Sequence, residues 1–314
     1  MINNSLVKER ILIIGGTGFI GAHIAKKALL EGLQVTIISK NYKPLSDRLK
    51  DVEYLSIDIR NKDSLCNQLK EKTFQYVINL GGYVDHSNFF SGGEAVFNVH
   101  FNGTKNLINC IDKDSLKSFI QIGSSDEYGG NLAPQNESQR ELPISPYSHA
   151  KTAATHLLQM LYRREKFPVI ILRPFLVYGP GQGMERFIPQ VIKGCIEEKE
   201  FPISEGRQLR DFCFIDDFVR SIFSSINNTE AFGEVINIAS GEPISIKDVV
   251  SKIQNIVTKG RPKFGESPYR DGENMELYAD ISKAKKLLNW QPKISLDEGL
   301  KITIDMIKNI SNEK

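Results

Sequence analysis

The chain is poor in the residues that build several common sites. Of its 314 residues only four are cysteine, Cys66, Cys110, Cys195 and Cys213, and none stands in a C-x-x-C pair. That excludes the usual zinc and dithiol motifs and a small disulfide scaffold. His23, His149 and His156 make no ligand set with the acids, so no metal is expected. Neither sign of charge is in excess: 40 Lys and Arg oppose 38 Asp and Glu, leaving +2. Proteins that grip nucleic acid cluster their basic residues on its phosphates. No nucleic-acid partner is therefore expected, and pairs such as Arg163-Arg164 read as solvated helix surface. No stretch approaches the roughly 18 apolar residues that cross a bilayer, so no membrane partner is expected either. No basic region with a cleavage site opens the chain, and a cytoplasmic location is the expectation. The absence of a G-x-S-x-G elbow argues against Ser124 as a hydrolase nucleophile.

The composition that remains is ordinary and globular, 40% apolar and 25% charged, enough for a real core and against wholesale disorder. The first half alternates short β-rich runs with helical patterns. Strands are predicted at 10–16, 34–39, 52–58, 76–82, 118–125 and 168–174, and helices at 22–31, 62–70, 95–111 and 149–166. Continuous apolar strands separated by helices predict a doubly wound parallel sheet of Rossmann type, covered on both faces. After Pro174 the pattern turns irregular: a turn-rich loop at 178–183, a helix at 187–198, a strand at 212–215, a helix from about 216, a core strand at 234–240 and two helices at 281–290 and 296–310. The reading is a dinucleotide-binding part, 1–174 plus about 212–240. A smaller, discontinuous substrate-binding lobe takes up 175–211 and 241–314.

Gly15-Gly16-Thr17-Gly18-Phe19-Ile20-Gly21 follows the first strand and opens a helix. Gly15 suits a tight turn, Gly18 a close backbone approach to a pyrophosphate, and Gly21 close helix–strand packing. The helix N-terminus offers amides and a positive dipole to phosphate. At the end of the second strand, where a carboxylate would bind the ribose 2′-hydroxyl of NAD, stand Ser39 and Lys40, with Lys43 and Arg48 nearby. A lysine attracts a 2′-phosphate, so NADP is the expected cofactor, with NAD the alternative. Asp58, followed by Ile59, ends the third strand. It is placed either to meet an adenine amine or to cap the next helix.

Tyr147 and Lys151 are four residues apart near a helix start, on one face. A neighbouring ammonium lowers a phenol's pKa, which otherwise lies near 10. The phenol can then move a proton on or off an alcohol oxygen while a nicotinamide carries hydride. Ser124, at the end of the preceding strand, can hold the same oxygen.

GGTGFIG at 15–21, GSSDEYG at 123–129, YSHAK at 147–151 and LRPFLVYGPGQG at 172–183 together resemble the extended short-chain dehydrogenase/reductase family. These are NAD(P)-dependent nucleotide-sugar epimerases, dehydratases and reductases. RDFCFIDD at 210–217 and LLNWQPKISLDEGL at 287–300 extend the resemblance over nearly the whole chain. It implies a catalytic Ser124, Tyr147 and Lys151, a nucleotide-sugar substrate and a homodimer through the helices near 95–111 and 149–166.

The subclass rests on 124–129. Dehydratases of the family follow the catalytic Ser or Thr with Asp or Ser, then with a Glu that removes the C5 proton. Those places hold Ser125 and Asp126, and Glu127 falls one residue late. The S-x-D-E-Y-G form resembles reductases of nucleotide-linked 4-keto-6-deoxyhexoses. The expectation is therefore NADPH-dependent reduction of a C4 ketone, with Tyr147 as proton donor. The alternatives are an NAD-dependent 4-epimerase, a 4,6-dehydratase, and a dinucleotide-binding protein without catalysis. Arg210 resembles the family's diphosphate-gripping arginine, although an ion pair with Asp211 or Asp216 would also explain it. Arg186 and Gln190 stand where the family contacts the nucleotide, and Tyr83, Asp85 and His86 where a loop reaches the sugar. An Asn that the family often carries in the helix after the fourth strand is replaced by His100, between Asn98 and Asn102.

Overall fold

The structure is a computed structural model that describes residues 8–41, 44–269 and 272–312. Lys43, named above among the basic residues after the second strand, lies outside them. The first half runs β1 (Arg10–Ile14), α1 (Phe19–Leu30), β2 (Gln34–Ser39), β3 (Val52–Ser56), α2 (Lys62–Leu69), β4 (Tyr76–Asn79), α3 (Gly93–Phe97), α4 (Gly103–Cys110), β5 (Ser118–Ile122), α5 (Pro146–Glu165) and β6 (Val169–Pro174). The remainder runs β7 (Leu176–Tyr178), α6 (Phe187–Ile196), β8 (Glu200–Ile203), β9 (Leu209–Phe214), α7 (Ile215–Ser225), β10 (Val235–Ile238), β11 (Pro243–Ser245), α8 (Ile246–Val257), β12 (Arg261–Phe264), β13 (Glu276–Leu277), α9 (Ser282–Leu288) and α10 (Leu296–Asn312).

Seven strands form one sheet in the order β10-β6-β5-β4-β1-β2-β3. From β1 to β6 every neighbouring pair is parallel. This is the doubly wound Rossmann arrangement, whose order reverses between β1 and β4. Burial on both faces explains the continuous apolar runs: Ile11, Leu12, Ile13 and Ile14 of β1 are all at most 2% exposed. Each such side chain contributes about 1.5–3 kcal/mol relative to exposure. The helix expected at 95–111 is interrupted. Residues 98–102 form one turn of π-helix between α3 and α4, and His100 sits in it.

Contacts divide the chain into two compact units, 1–127 with 143–172 and 222–235, and 128–142 with 173–221 and 236–314. Residues 128–142, 173–174, 212–221 and 236–240, expected in the dinucleotide-binding part, group with the second unit. Buried polar anchors account for this. Tyr128 donates to Asn237 Oδ1 at 2.8 Å, and Arg173, fully buried, meets Glu141 at 2.6 Å. Asp211 accepts the backbone N–H groups of Ser240, Gly241 and Ala279 at 2.6, 2.9 and 3.2 Å. The Asp217 carboxylate accepts those of Lys293 and Ile294, both at 2.9 Å.

The second unit also holds what the sequence reading left unassigned: α8 and the short strands β7, β8, β11, β12 and β13. β12 pairs with β8, while β11, β7 and β13 all flank β9. Among the described residues no helix is long and apolar enough to cross a membrane.

Candidate active site

The turn after β1 has the geometry that its glycines suggest. Gly15 takes φ +77°, and its N–H donates to Ile38 O at 2.7 Å. A Cβ on Gly21 would lie 2.5 Å from Gly15 O, so only glycine lets α1 pack this closely. A Cβ on Gly18 would meet nothing nearer than Gly15 O at 3.4 Å. The helix that begins at Phe19 and Ile20 has no side-chain cap and no acid in its first turn. That leaves its positive end suited to an anion. These features fit a dinucleotide pyrophosphate.

At the end of β2, the Thr17 and Ser39 hydroxyls lie 2.5 Å apart. Lys40 points to Asp58 at 3.9 Å. Arg60 holds Asp58 more firmly, with Nη2 to Oδ2 at 2.6 Å and its backbone N–H to Oδ1 at 3.0 Å. The Arg60 hydrogen bonds keep the Asp58 carboxyl below its ordinary range. Asp58 is not the cap of α2: Asn61 is, accepting the Ser64 N–H at 3.0 Å. Ile59 is buried and packs on Gly81 and Gly103, and its carbonyl accepts from Asn106 at 3.0 Å. Arg48 lies over the Tyr54 ring at 5.0 Å.

The three expected catalytic residues all lie in the first unit, and α5 places two of them. Ser145 caps this helix, accepting the Ser148 N–H at 3.1 Å while Ser148 Oγ accepts the Ser145 N–H at 3.0 Å, and Pro146 occupies the first turn. This reciprocal cap fixes where Tyr147 starts. Lys151 lies one turn on, its Nζ 5.9 Å from the Tyr147 ring centre and donating to Ile122 O at 2.8 Å. Burial lowers the Lys151 pKa to about 8, against an upward pull from Glu127.

Glu127 is the residue that sequence reasoning passed over. It is wholly buried. Its carboxylate accepts the Ser124 N–H at 2.8 Å and the Thr155 hydroxyl at 2.9 Å. It thereby ties the strand end that carries Ser124 to the helix that carries Tyr147. Its one-residue offset from the dehydratase position was the visible signal. Beside it Ser125 is buried, and the Asp126 N–H donates to Ser124 Oγ at 3.2 Å.

Two histidines stand edge-on to Tyr147. His100 is 5.0 Å away at 79° and His86 is 5.6 Å away at 83°. Burial first, then the Lys151 charge, lowers the His100 pKa to about 3. His100 is thus neutral at physiological pH, and since a carbonyl only accepts, its Nε2–H donates to Tyr83 O at 2.9 Å. The Tyr83 side chain itself is 48% exposed. Asp85 turns back to accept from Ser87, not toward a ligand. His149 stacks on Phe97 at 5.7 Å.

The remaining expected contacts belong to the second unit. Arg186 immediately precedes α6 without a side-chain cap bond and lies 3.5 Å from Glu185; Gln190 is exposed on the same helix. Arg210 is 9% exposed. It pairs with Glu273 and donates to Leu209 O at 2.7 Å. Asp211, considered with Asp216 as an ion-pair partner of Arg210, accepts backbone amides. Among the described residues no group of His, Cys, Asp and Glu is arranged to hold a metal. Cys66 on α2 and Cys110 on α4 form a disulfide, their Cα atoms 4.6 Å apart, a pairing that a separation of 44 residues kept out of the sequence reading.

The profile described as "NAD dependent epimerase/dehydratase family" matches residues 11–239. The chain belongs to this family. A UDP-glucuronate 4-epimerase from Thermodesulfobacterium geofontis is 30% identical over 311 residues, 95% of each chain. A mouse dTDP-D-glucose 4,6-dehydratase is 27% identical, over 98% of this chain and 91% of its own. Among solved structures, UDP-glucuronic acid 4-epimerase from Bacillus cereus superposes with a TM-score of 0.84. It is 29% identical over 96% of this chain and 99% of its own, and was solved with UDP-glucuronic acid and NAD. This family member is an enzyme on a Rossmann-type frame. The relatives named here are 4-epimerases and a 4,6-dehydratase, and the Bacillus cereus structure holds NAD, which favours the alternative of a 4-epimerase over the 4-keto reductase expected from residues 124–129.

Proposed function

We propose that the protein is an NAD-dependent 4-epimerase of a nucleotide-diphosphate sugar, with UDP-sugars as the first substrate class. The observation that carries this reading is the 30% identity to a UDP-glucuronate 4-epimerase over 95% of both chains. The Ser124, Tyr147 and Lys151 arrangement is consistent with it.

NAD, when bound at the Gly15–Gly21 turn, supplies a reversible hydride acceptor for C4. Gly15, Thr17, Gly18, Phe19, Ile20 and Gly21 would hold its pyrophosphate, and Ser39, Lys40, Asp58 and Ile59 would surround its adenosine. Tyr147, as phenolate, takes the proton of the C4 hydroxyl and later returns it to the carbonyl oxygen. Ser124 steadies that oxygen by hydrogen bonding. Lys151 provides the positive charge that favours the phenolate. Between the two proton transfers the 4-keto sugar presents its other face. Arg210 would reach the diphosphate only by exchanging Glu273 for it, and Arg186 would add to the nucleotide contacts. A homodimer through α3, α4 and α5 and a cytoplasmic setting belong to the same proposal.

Incubation with UDP-glucuronate or UDP-glucose should yield the C4 epimer without added nicotinamide. Denaturing the protein should release NAD, identified by mass. The reductase reading keeps two observations in its favour, the S-x-D-E-Y-G form at 124–129 and the missing carboxylate at Ser39-Lys40. Release of NADP, with NADPH consumed by a 4-keto-6-deoxy sugar nucleotide, would replace the epimerase reading with it.

A further inference from the structure

The chemistry at C4 uses neither Cys66 nor Cys110, yet their bridge braces the loop that carries Asp58 and Ile59. This loop, 57–61, joins β3 to α2. The carbonyls of Ile59 and Arg60 are held from α4, where Asn106 Nδ2 donates to them at 3.0 and 3.1 Å. The Arg60 N–H and guanidinium in turn hold the Asp58 carboxylate. At its far end the loop passes into α2 through the Asn61 cap. Cys110 stands one turn after Asn106 on α4, and Cys66 just over one turn after Asn61 on α2. The disulfide therefore closes a ring through the loop, the start of α2, the end of α4 and the Asn106 amide. Ile59, Leu65 and Leu107 belong to one buried apolar cluster, which keeps the two helices packed when the bridge opens. Both cysteines are half-buried, and each adjoins an exposed residue, Asn67 and Asn109, so a small thiol can reach the bridge. In a reducing compartment a disulfide of this kind is commonly transient or redox-sensing.

We propose that Cys66 and Cys110 form a thiol–disulfide modification site, and that its reduction by a dithiol weakens the hold on the dinucleotide. The proposal rests on the preceding reading only for the place of the adenosine. A thiolate of the reductant attacks one sulfur of the bridge. The S–S bond breaks, a mixed disulfide forms, and the other cysteine leaves as a thiolate that takes up a proton. The second thiol of the reductant then displaces the remaining cysteine, and the reductant departs as a disulfide. Two electrons and two protons have passed to the protein. Cys110 Sγ lies 3.6 Å from Lys62 O, so the new thiol has an acceptor in place. The loop keeps the Asn106 amide but loses its covalent brace. It gains freedom that dinucleotide binding must remove again, and that ordering costs affinity. Linkage makes the effect reciprocal: bound dinucleotide protects the bridge from reduction by the same factor. Ser124, Tyr147 and Lys151 stand on other elements and keep their geometry.

The test uses the whole protein, freed of nucleotide, with the bridge formed and after reduction by dithiothreitol. The mass of the alkylated protein verifies each state, and calorimetry reads NAD affinity. The bridged protein should bind NAD about tenfold more tightly than the reduced one. NAD should shift the equilibrium of the bridge with dithiothreitol by the same factor. Protein carrying both Cys66→Ser and Cys110→Ser should bind NAD as the reduced protein does and ignore the reductant, with turnover at saturating NAD nearly intact. Equal affinity in the two states, or a bridge that does not form, overturns the proposal. So does a response to reductant that survives the double substitution, which would trace it to Cys195 or Cys213. The same shift read with NADP, or read with NAD in protein that epimerises no sugar nucleotide, upholds the proposal and counts against the epimerase reading alone. A working epimerase with equal NAD affinity in both states does the reverse.

Discussion

Both units bury charge, but they use it differently. In the second unit, Asp211 and Asp217 are pegs: backbone N–H groups from distant loops converge on each carboxylate. Burial raises the Asp211 pKa, and those hydrogen bonds oppose the rise. In the first unit, buried charge surrounds the residues proposed to move protons. Lys151 is brought down to about 8 by burial, and Glu127 holds Ser124 and Thr155. A saturated carboxylate fixes chain against chain. A buried ammonium with a tuned pKa stores electrostatic work for a reaction. Disturbing the first should cost stability, and disturbing the second should cost rate.

The sharpest test of that contrast is Tyr147→Phe, which should lower turnover by about a thousandfold and leave the melting temperature within experimental error. An unchanged rate would remove Tyr147 from the mechanism. Asp211→Ala should do the reverse, stripping three buried or part-buried N–H groups of their acceptor and costing about 3 kcal/mol. A shift of the urea midpoint at constant slope would measure this. Cys110→Ser, which opens the bridge between α2 and α4, should cost about 2–4 kcal/mol, with turnover nearly intact.

Glu127→Gln should couple the two quantities. Lys151 is charged below about 8, so the rate should fall as pH rises through it. Removing the Glu127 charge should move this alkaline limb to lower pH. Because the folded Lys151 binds a proton less readily than the unfolded chain, its contribution makes stability rise with pH between about 8 and the ordinary lysine value. Lys40→Ala should have the smallest effect, changing NAD affinity by about twofold or less. A large loss of NADP affinity in the same variant would revive the NADP reading.

Much of this was legible in sequence because it rests on local pattern. The runs 34–39 and 62–70 and the glycine turn carry periodicity and turn chemistry within a few residues. The spacing of Tyr147 and Lys151 likewise needs only a helix. The second unit was harder. β8 and β12 are short and part-exposed, so neither alternation nor apolar continuity marks them. α8 is different. Ile246, Val249, Val250, Ile253 and Val257 face inward at helical spacing, a signal that was there to be read. Arg173 and the Cys66–Cys110 bridge depend on partners far away in the chain, which no local pattern encodes. The choice between epimerase and reductase turned on Ser39, Lys40 and Asp126. Those side chains admit both chemistries, so it took whole-chain similarity to weigh them.

Asn79, at the end of β4, has a consequence for how the sheet assembles. Its buried amide donates to Thr104 Oγ1 at 3.0 Å and to Gln121 Oε1 at 2.9 Å, and its carbonyl oxygen accepts the Gly81 N–H at 3.0 Å. Apolar β strands of similar length can pair in shifted registers at little hydrophobic cost. A one-residue slip of β4 would turn this amide away from its partners and strand several buried polar groups, at about 1–3 kcal/mol each. One asparagine thus acts as a proofreading mark for strand alignment, discriminating between the native sheet and its misaligned neighbours during folding.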